Sequence, residues 1–366
     1  MLDEAIDELL ADVPSDVTAL RGRLFDLGLA WLEPKESAHL AERLREAGVS
    51  VPTTAAMGVG VGLAGPTMLA HGSDELRARL LRRAFTGEDG YCQLFSEPVS
   101  GSDMAGLATR AERDGDTWVV TGQKVWTTNA HLANRGLLIA RTDPDQPKHK
   151  GITYFALDLT LPGVEVRPLR QMTGQAEFSE VFMTEVRVPD ADRVGDVGDG
   201  WRVAMTTLTS ERSVIGGGGG GRRAIDEAVR LYGAADRPEL RDRLMRLWCD
   251  AVVLRLSNRR RTTVGGGSLS KLAFATNNQR IYELCVDLLG AAALVDADYG
   301  MRREDHLGYV GPPGSARQYF LRTRANTIEG GTTEIQKNIV AERFLGLPPE
   351  PRVDKDVPWK DVPRSG

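Results

Sequence analysis

Cysteine is scarce in this chain of 366 residues: Cys92, Cys249 and Cys285 stand far apart, and none belongs to a Cys-x-x-Cys pair. An odd, dispersed set excludes a disulfide framework and fits a reducing compartment. A large excess of one charge is also missing. Lysine and arginine number 46 against 51 aspartates and glutamates, a net charge of -5. That leaves no basic surplus for nucleic acid or an anionic membrane, although a local patch for phosphates fits within the total. No long hydrophobic run occurs. The most apolar stretch, 55–70, is rich in glycine and carries Pro66, and it falls short of the roughly 20 apolar residues of a spanning helix. The first residues are acidic, without the basic flank and apolar core of a signal peptide, so the chain is expected to be cytoplasmic. Its five histidines, His39, His71, His131, His149 and His306, lack metal-ligand spacing, and no metal is expected.

What is present is length for two or three domains and a periodicity that changes twice. Residues 1–90 read as helical: Leu20, Leu24 and Leu27, then Leu40, Leu44 and Val49, recur near helical spacing, and Leu76, Leu80 and Leu81 suggest a further short helix. Residues 91–195 hold short β-rich segments, 117–121, 136–140, 152–158, 164–167 and 181–188, parted by turn signals such as Asp114-Gly-Asp and Leu161-Pro-Gly. An antiparallel barrel or sandwich is expected there. Residues 196–346 return to helices, with Leu240, Leu244, Leu247, Ala251 and Leu254 forming a buried seam and further helices over 269–289, 316–326 and 334–345. Residues 347–366 carry several prolines and charges and are expected to be an extended or disordered tail. The fold class is therefore α+β and multidomain.

Three runs carry chemistry. The first, Gln93-Leu-Phe-Ser-Glu-Pro-Val-Ser-Gly-Ser-Asp103, reads as a loop, since its Glu-Pro and Ser-Gly-Ser are poor strand formers. The second, Gly122-Gln-Lys-Val-Trp-Thr-Thr-Asn129, follows a strand and a turn at Gly122. The third, Glu329-Gly-Gly-Thr-Thr-Glu-Ile-Gln336, opens a helix, with Thr333 and Gln336 spaced as a capping box. A helix N-terminus offers free amides to an anion or a hydroxyl. Any one of them alone reads equally well as a polar turn, a core tryptophan or a capped helix. By contrast, Gly60-x-Gly62-x-x-Gly65 follows no strand and has no βαβ context, and reads as loop and helix packing, not a dinucleotide site.

Together, in this order and spacing, the three runs resemble the acyl-CoA dehydrogenase family of flavoproteins, and the resemblance covers most of the chain. It implies an N-terminal helical domain, a middle antiparallel β domain and a C-terminal four-helix bundle. It also implies FAD, an acyl-CoA substrate, loss of two hydrogens from adjacent carbons, and an electron-transfer flavoprotein as acceptor. By the same resemblance Trp126 packs against the flavin, and Thr128, beside Thr127, hydrogen-bonds near its reactive nitrogen. Leu94, Ser96, Gly101 and Ser102 hold the isoalloxazine edge, Ser102 lying near the thioester, and Thr332 and Glu334 contact FAD. Gly101 would let backbone approach a ligand closely.

The family draws its α-proton base from one of two places. Aligned on Gly331-Thr332, the later position falls on Gly330, with Glu329 one residue early. The earlier pattern, Leu-x-x-Glu-Arg, is matched by Leu208-Thr-Ser-Glu-Arg212. Ala204, Leu208, Glu211 and Ile215 step by helical intervals, and a glutamate on an apolar stripe is desolvated toward a useful basicity. Glu211 is therefore the expected base, Glu329 the runner-up, and Arg212 an orienting or substrate-binding residue. The six glycines Gly216 to Gly221 follow at once, and each costs about 1 kcal/mol in a helix relative to alanine. Either the missing side chains widen an acyl cavity for a branched or ring-bearing group, or they serve close helix packing or a helix break.

The chain departs from the family pattern in three places: no Gly-Gly-rich loop stands near Pro34–Ser37, only Gly233-Ala-Ala-Asp-Arg-Pro238 stands where the family often has an Arg and a Phe-Gly reaching a partner's FAD, and Asp287-Leu-Leu-Gly-Ala291 is a weak match to Gln-x-x-Gly-Gly. The last two put the adenine end of FAD binding in question. The expected assembly is a homodimer or homotetramer. The alternatives are a non-catalytic or FAD-sharing subunit of a mixed oligomer, and a flavin oxidase or monooxygenase of the same fold.

Overall fold

Helices fill the first ninety residues because leucines recur at helical intervals and each segment carries its own start or stop. The computed structural model describes residues 1–52, 55–217, 222–259, 266–295, 300–303, 315–352 and 354–363; for 55–56, 212–217, 259 and 266 it describes backbone alone. Six helices come first: α1 (Leu2–Ala11), α2 (Val17–Asp26), α3 (Pro34–Glu46), α4 (Ala55–Val59), α5 (Gly65–His71) and α6 (Asp74–Thr86). The Asp16 and Ser73 side chains cap α2 and α6, and α6 ends at Gly87, whose φ is 84°, a conformation glycine adopts without penalty. Pro34 opens α3 at its first turn with a capping box between Glu33 and Glu36, so proline and cap together set where this helix starts. Ile6, Leu9, Leu20, Leu24, Leu40, Leu44 and Phe85 form the core of this layer. The Gly60–Gly65 run is a π-helical turn joining α4 to α5. A Cβ at Gly65 would lie 2.0 Å from the Trp31 ring, and the Trp31 indole donates to the Val61 carbonyl at 2.8 Å. These glycines serve packing within a helix, where a loop had been one expectation.

Eight strands follow: β1 (Tyr91–Leu94), β2 (Arg110–Asp114), β3 (Thr117–Thr128), β4 (Arg135–Arg141), β5 (Ile152–Asp158), β6 (Val164–Leu169), β7 (Phe178–Pro189) and β8 (Arg193–Val194). They form one sheet in the order β6-β7-β3-β2-β4-β5-β8, with β1 added alongside β4. Most pairs are antiparallel, but β1 joins β4 in parallel and β2 touches β4 in parallel at Arg110 and Arg141. β1, β2 and β8 escape sequence reading because they are short and, in Arg-Ala-Glu-Arg-Asp of β2, almost wholly charged. Leu94, Ala111, Trp118, Leu138, Phe155, Val181 and Val186 come from six strands and share one core, so the sheet curls around it.

The remaining helices are α7 (Gly200–Gly217), α8 (Arg222–Ala234), α9 (Arg241–Arg259), α10 (Gly266–Leu289), α11 (Ala316–Arg322) and α12 (Thr333–Arg343). Ile225, Leu244, Leu247, Ala251, Ile281, Leu284 and Leu288 pack α8, α9 and α10 together, and Tyr282 stacks on Tyr319 of α11 at 5.1 Å. The chain is thus α+β and multidomain: helices, a mostly antiparallel sheet, then a helical bundle. It divides into two compact units, one of Met1–Leu169, Phe178–Thr207 and Asp354–Gly366, the other of Arg170–Glu177 and Leu208–Val353. Residues 354–363 are therefore not a free arm. They return to the unit that holds the strands. Among the described residues no helix is long and apolar enough to cross a membrane.

Candidate functional site

In the first unit, Trp126 is turned outward by an irregularity in β3. Lys124 pairs with Val181 and Thr127 with Ser179, so β3 carries one residue more than β7 between these points. That is a bulge, which re-aims side chains. Lys124, Val125 and Thr127 point inward and are buried, whereas Trp126 is 58% exposed. Its φ is 60°, a left-handed conformation costing about 1–3 kcal/mol for a bulky residue and found where a site over-determines the backbone. Its ring meets Phe178 edge-on at 5.8 Å. Trp126 is therefore not a core tryptophan. Nor does Gly122 make a turn: it lies inside β3, where a Cβ would come within 2.3 Å of the Thr109 hydroxyl oxygen.

The two runs at 93–103 and 122–129 meet. The Val125 amide donates to the Ser96 carbonyl at 2.9 Å. The Lys124 ammonium donates to the Phe95 carbonyl at 3.1 Å and to Glu97 Oε1 at 2.8 Å, and Glu97 also accepts from the Ala108 and Thr109 amides at 2.7 and 3.0 Å. Lys124 is 0% and Glu97 4% exposed at the side chain. Burial opposes charge on both, yet the Lys124 ammonium, with the donors around Glu97, keeps that carboxyl below its ordinary range; burial draws the Lys124 ammonium pKa down against the pull of Glu97. Neither residue had been assigned a role from sequence. The available signal was a lysine two positions before Trp126 on an inward strand position, which requires a buried partner.

Leu94 is buried at the end of β1, Ser96 is half-buried, and Gly101 and Ser102 are exposed. A Cβ at Gly101 would meet nothing within 4 Å, so this glycine leaves open space beside the loop. Thr127 and Asn129 are buried, and among the described residues neither the Thr127 hydroxyl nor either polar atom of the Asn129 amide has a hydrogen-bond partner. Buried polar atoms without partners are costly and mark a place where another group completes them. An exposed aromatic on a strained bulge beside such atoms suits a planar, heteroatom-rich group such as a flavin.

In the second unit, Gly330 and Gly331 have φ of 63° and 88° and deliver the chain to the start of α12. The cap is Thr332, whose hydroxyl accepts from the Ile335 amide at 3.2 Å, one position earlier than the spacing of Thr333 and Gln336 had suggested. Gln336 instead turns back to donate to the Gly330 carbonyl at 2.8 Å. Glu334 is exposed in the first turn. Glu329 is held: Arg322 donates to both its oxygens at 2.9 and 3.3 Å, and Asn326 donates to one at 2.7 Å. Arg322, 5% exposed, also donates to buried Glu177 at 2.6 Å. Burial would favour its neutral form, but the two carboxylates outweigh it and raise its pKa.

Glu211 lies on the last two turns of α7, half-buried, with Ala204 buried and Leu208 half-buried on the same face. The side chains of Arg212 and Ile215 lie outside the described residues, as do residues 218–221 of the glycine run; Gly216 and Gly217 are helical. Arg237, in the segment between α8 and α9, is occupied within its own chain by Glu239 and by the Asp287 carbonyl at 3.1 Å. Among the described residues no group of three or more His, Cys, Asp or Glu could hold a metal ion.

The family model "Acyl-CoA dehydrogenase, middle domain" matches residues 92–186, and "Acyl-CoA dehydrogenase, C-terminal domain" matches residues 198–345. The acyl-CoA dehydrogenase IpdE1 of Mycobacterium tuberculosis is 42% identical over 300 residues, covering 79% of this chain and 74% of the relative. Among solved structures, the Tcur3481-Tcur3483 steroid ACAD is 26% identical with a TM-score of 0.72, covering 95% of this chain and 98% of that one. The ChsE4-ChsE5 complex from Mycobacterium tuberculosis is 26% identical with a TM-score of 0.69 over the same shares.

Proposed function

Because the chain belongs to the acyl-CoA dehydrogenase family of oxidoreductases, we propose that it is an FAD-dependent enzyme that converts an acyl-CoA thioester to its 2-enoyl-CoA, with Glu211 as the base. The observation that carries this reading is the bulge that exposes Trp126 in a left-handed backbone while Thr127 and Asn129 hold buried polar atoms without partners. Trp126 walls the flavin from water, and Thr127 and Thr128 supply hydroxyls to its edge. Leu94, Ser96, Gly101 and Ser102 hold that edge from the other run. In the second unit, Thr332 and Glu334 at the α12 N-terminus are FAD contacts in this reading. FAD, when bound, supplies the acceptor for the β-hydrogen and its electron pair. Glu211 takes the α-hydrogen as a proton, and the electron pair left on the α-carbon closes the double bond. Donors to the thioester carbonyl make that proton acidic enough to remove. Glu329 serves structure in this reading, since Arg322 and Asn326 already engage its carboxylate.

Gly216 and Gly217, which end α7, and the steroid ACAD among the likenesses support a bulky, ring-bearing acyl group over a straight fatty chain. The test is the visible spectrum of the purified protein, then its anaerobic titration with straight, branched and ring-bearing acyl-CoAs. A flavin band bleached by the ring-bearing class is the expected result. A protein that takes up no FAD when it is supplied would overturn the catalytic reading for the isolated chain. Rapid reoxidation by oxygen, where an electron-transfer flavoprotein is expected to be the acceptor, would point to an oxidase.

A second reading is favoured by Arg237, engaged within its own chain at the surface by Glu239 and the Asp287 carbonyl, and by likeness to proteins described as pairs, ChsE4 with ChsE5 and Tcur3481 with Tcur3483. In it a partner chain of the same family completes the adenine end of the cofactor. Helix α9 supports assembly with either a second copy or such a chain. It buries Leu244, Leu247, Ala251 and Leu254 on one side and exposes Met245, Trp248, Val253 and Leu256 elsewhere, an apolar surface that marks an interface. Trp248→Glu is expected to shift the molar mass measured by light scattering toward a smaller species; an unchanged mass would remove α9 from the interface.

A further inference from the structure

The C-terminal segment 354–363 lies against the first unit along a line that ends at the loop of the first sequence run. The Trp359 amide donates to the Gln146 carbonyl at 2.9 Å, the Lys360 amide to the Pro144 carbonyl at 3.1 Å, and Lys360 pairs with Asp145 at 2.5 Å. The Trp359 ring covers the Arg141 guanidinium at 4.7 Å while its indole N–H donates to the Gly106 carbonyl at 3.3 Å. Beneath it Arg141, 3% exposed, donates to the carbonyls of Lys148 at 2.7 Å and Ala105 at 2.6 Å. Lys148 then stands between two carboxylates from distant parts of the chain, Asp354 at 2.5 Å and Asp103 at 2.9 Å. Its side chain is 13% exposed.

Asp103 adjoins Ser102 and ends a loop with few anchors. Pro98, Val99, Gly101, Ser102 and Asp103 are all exposed. Glu97 and Ser100 exchange amide bonds, and the Ser100 hydroxyl and the Gly106 amide bind the Asp103 carbonyl at 2.6 and 2.9 Å. Among the described residues, Asp103 is the only member of 98–103 whose side chain is ion-paired. A loop with so few contacts opens easily unless something outside it holds it. Here that is Lys148, itself gripped by the C-terminal segment.

We propose that Asp354 and Trp359 are positioning residues, and that the C-terminal segment acts through Lys148 and Arg141 as a brace that sets the Gly101–Ser102 loop for the substrate thioester. The role of the loop rests on the function proposed above; the brace itself does not.

The test uses the full chain with Asp354→Asn, Trp359→Ala and Asp354→Glu. The first readout is amide hydrogen exchange at Ser100, Gly106 and Leu107, whose N–H groups bond within the loop and the turn after it. The first two variants should speed exchange there by on the order of tenfold while β4 and β5 stay protected, and Asp354→Glu should restore protection. The second readout is the KM for acyl-CoA, expected to rise by on the order of tenfold with a smaller change in kcat, the signature of lost substrate positioning. Unchanged exchange in the folded Asp354→Asn protein overturns the brace. Uniform loosening of β4 and β5 as well also overturns it, since the segment would then serve general stability. Faster loop exchange with an unmoved KM leaves the brace standing and removes the Ser102 loop from the substrate.

Discussion

Glu211→Gln is expected to retain the flavin band and to slow its anaerobic bleaching by acyl-CoA by roughly 10²–10⁴-fold, the contribution of a positioned base. The amide fills nearly the same volume and keeps an acceptor oxygen, but it cannot take the α-proton. The rate should therefore fall without loss of cofactor, and kcat and kcat/KM should fall together, as when an interaction made only in the transition state is removed. Glu329→Gln is the control. It breaks a network in which Arg322 ties Glu329 and Asn326 to Glu177, so it is expected to lower thermal stability with a much smaller effect on bleaching. The opposite pattern, with bleaching slowed by roughly 10²–10⁴-fold in Glu329→Gln and near wild type in Glu211→Gln, would return the base to the later position and end the case for Glu211.

The periodicity of the chain carries the gross architecture because burial follows it. Of the seam read from sequence, Leu244, Leu247, Ala251 and Leu254 are buried on α9, whereas Leu240 falls in the 3-10 turn before that helix and is only partly buried; β5 runs over the segment 152–158 read from sequence. Failures have local causes. β2 is charged on nearly every residue and is held by a hairpin to β3, so pattern alone does not reveal it. The first residue of α12 is misplaced by one because Thr332 and Thr333 are both cap formers and Gly331, with its positive φ, decides between them. The motifs identify Trp126 but not its exposure, which depends on a one-residue mismatch between β3 and β7, whose flanking pairs Lys124 with Val181 and Thr127 with Ser179 are far apart in sequence. The buried partners Lys124 with Glu97 and Arg322 with Glu177 join segments 27 and 145 residues apart. No local pattern encodes which charge meets which.

The Lys124–Glu97 pair is where the second large effect is expected. Lys124→Met should destabilise the first unit by about 3–5 kcal/mol, because the Glu97 carboxylate then remains buried with only two amides as partners. That is a large share of a margin of about 5–15 kcal/mol. The double variant Lys124→Met, Glu97→Gln should recover much of the loss, since a neutral amide still accepts from Ala108 or Thr109 and leaves no charge unpaired. The dependence on pH separates this account from simple loss of packing. The folded Glu97 carboxyl sits below its ordinary value of 4.5, so its contribution is full above that pH and is lost as pH falls through the folded value. In Lys124→Met the carboxyl instead takes up a proton more readily. The gap in urea midpoint between wild type and Lys124→Met should therefore narrow as pH drops from 7 toward 4. A gap that stays constant would assign the effect to the lysine stem. Because Lys124 also holds the Phe95 carbonyl, one residue before the Ser96 carbonyl that accepts from the Val125 amide, the same variant should lose FAD before it unfolds, which the flavin absorbance of the gel-filtered protein reports.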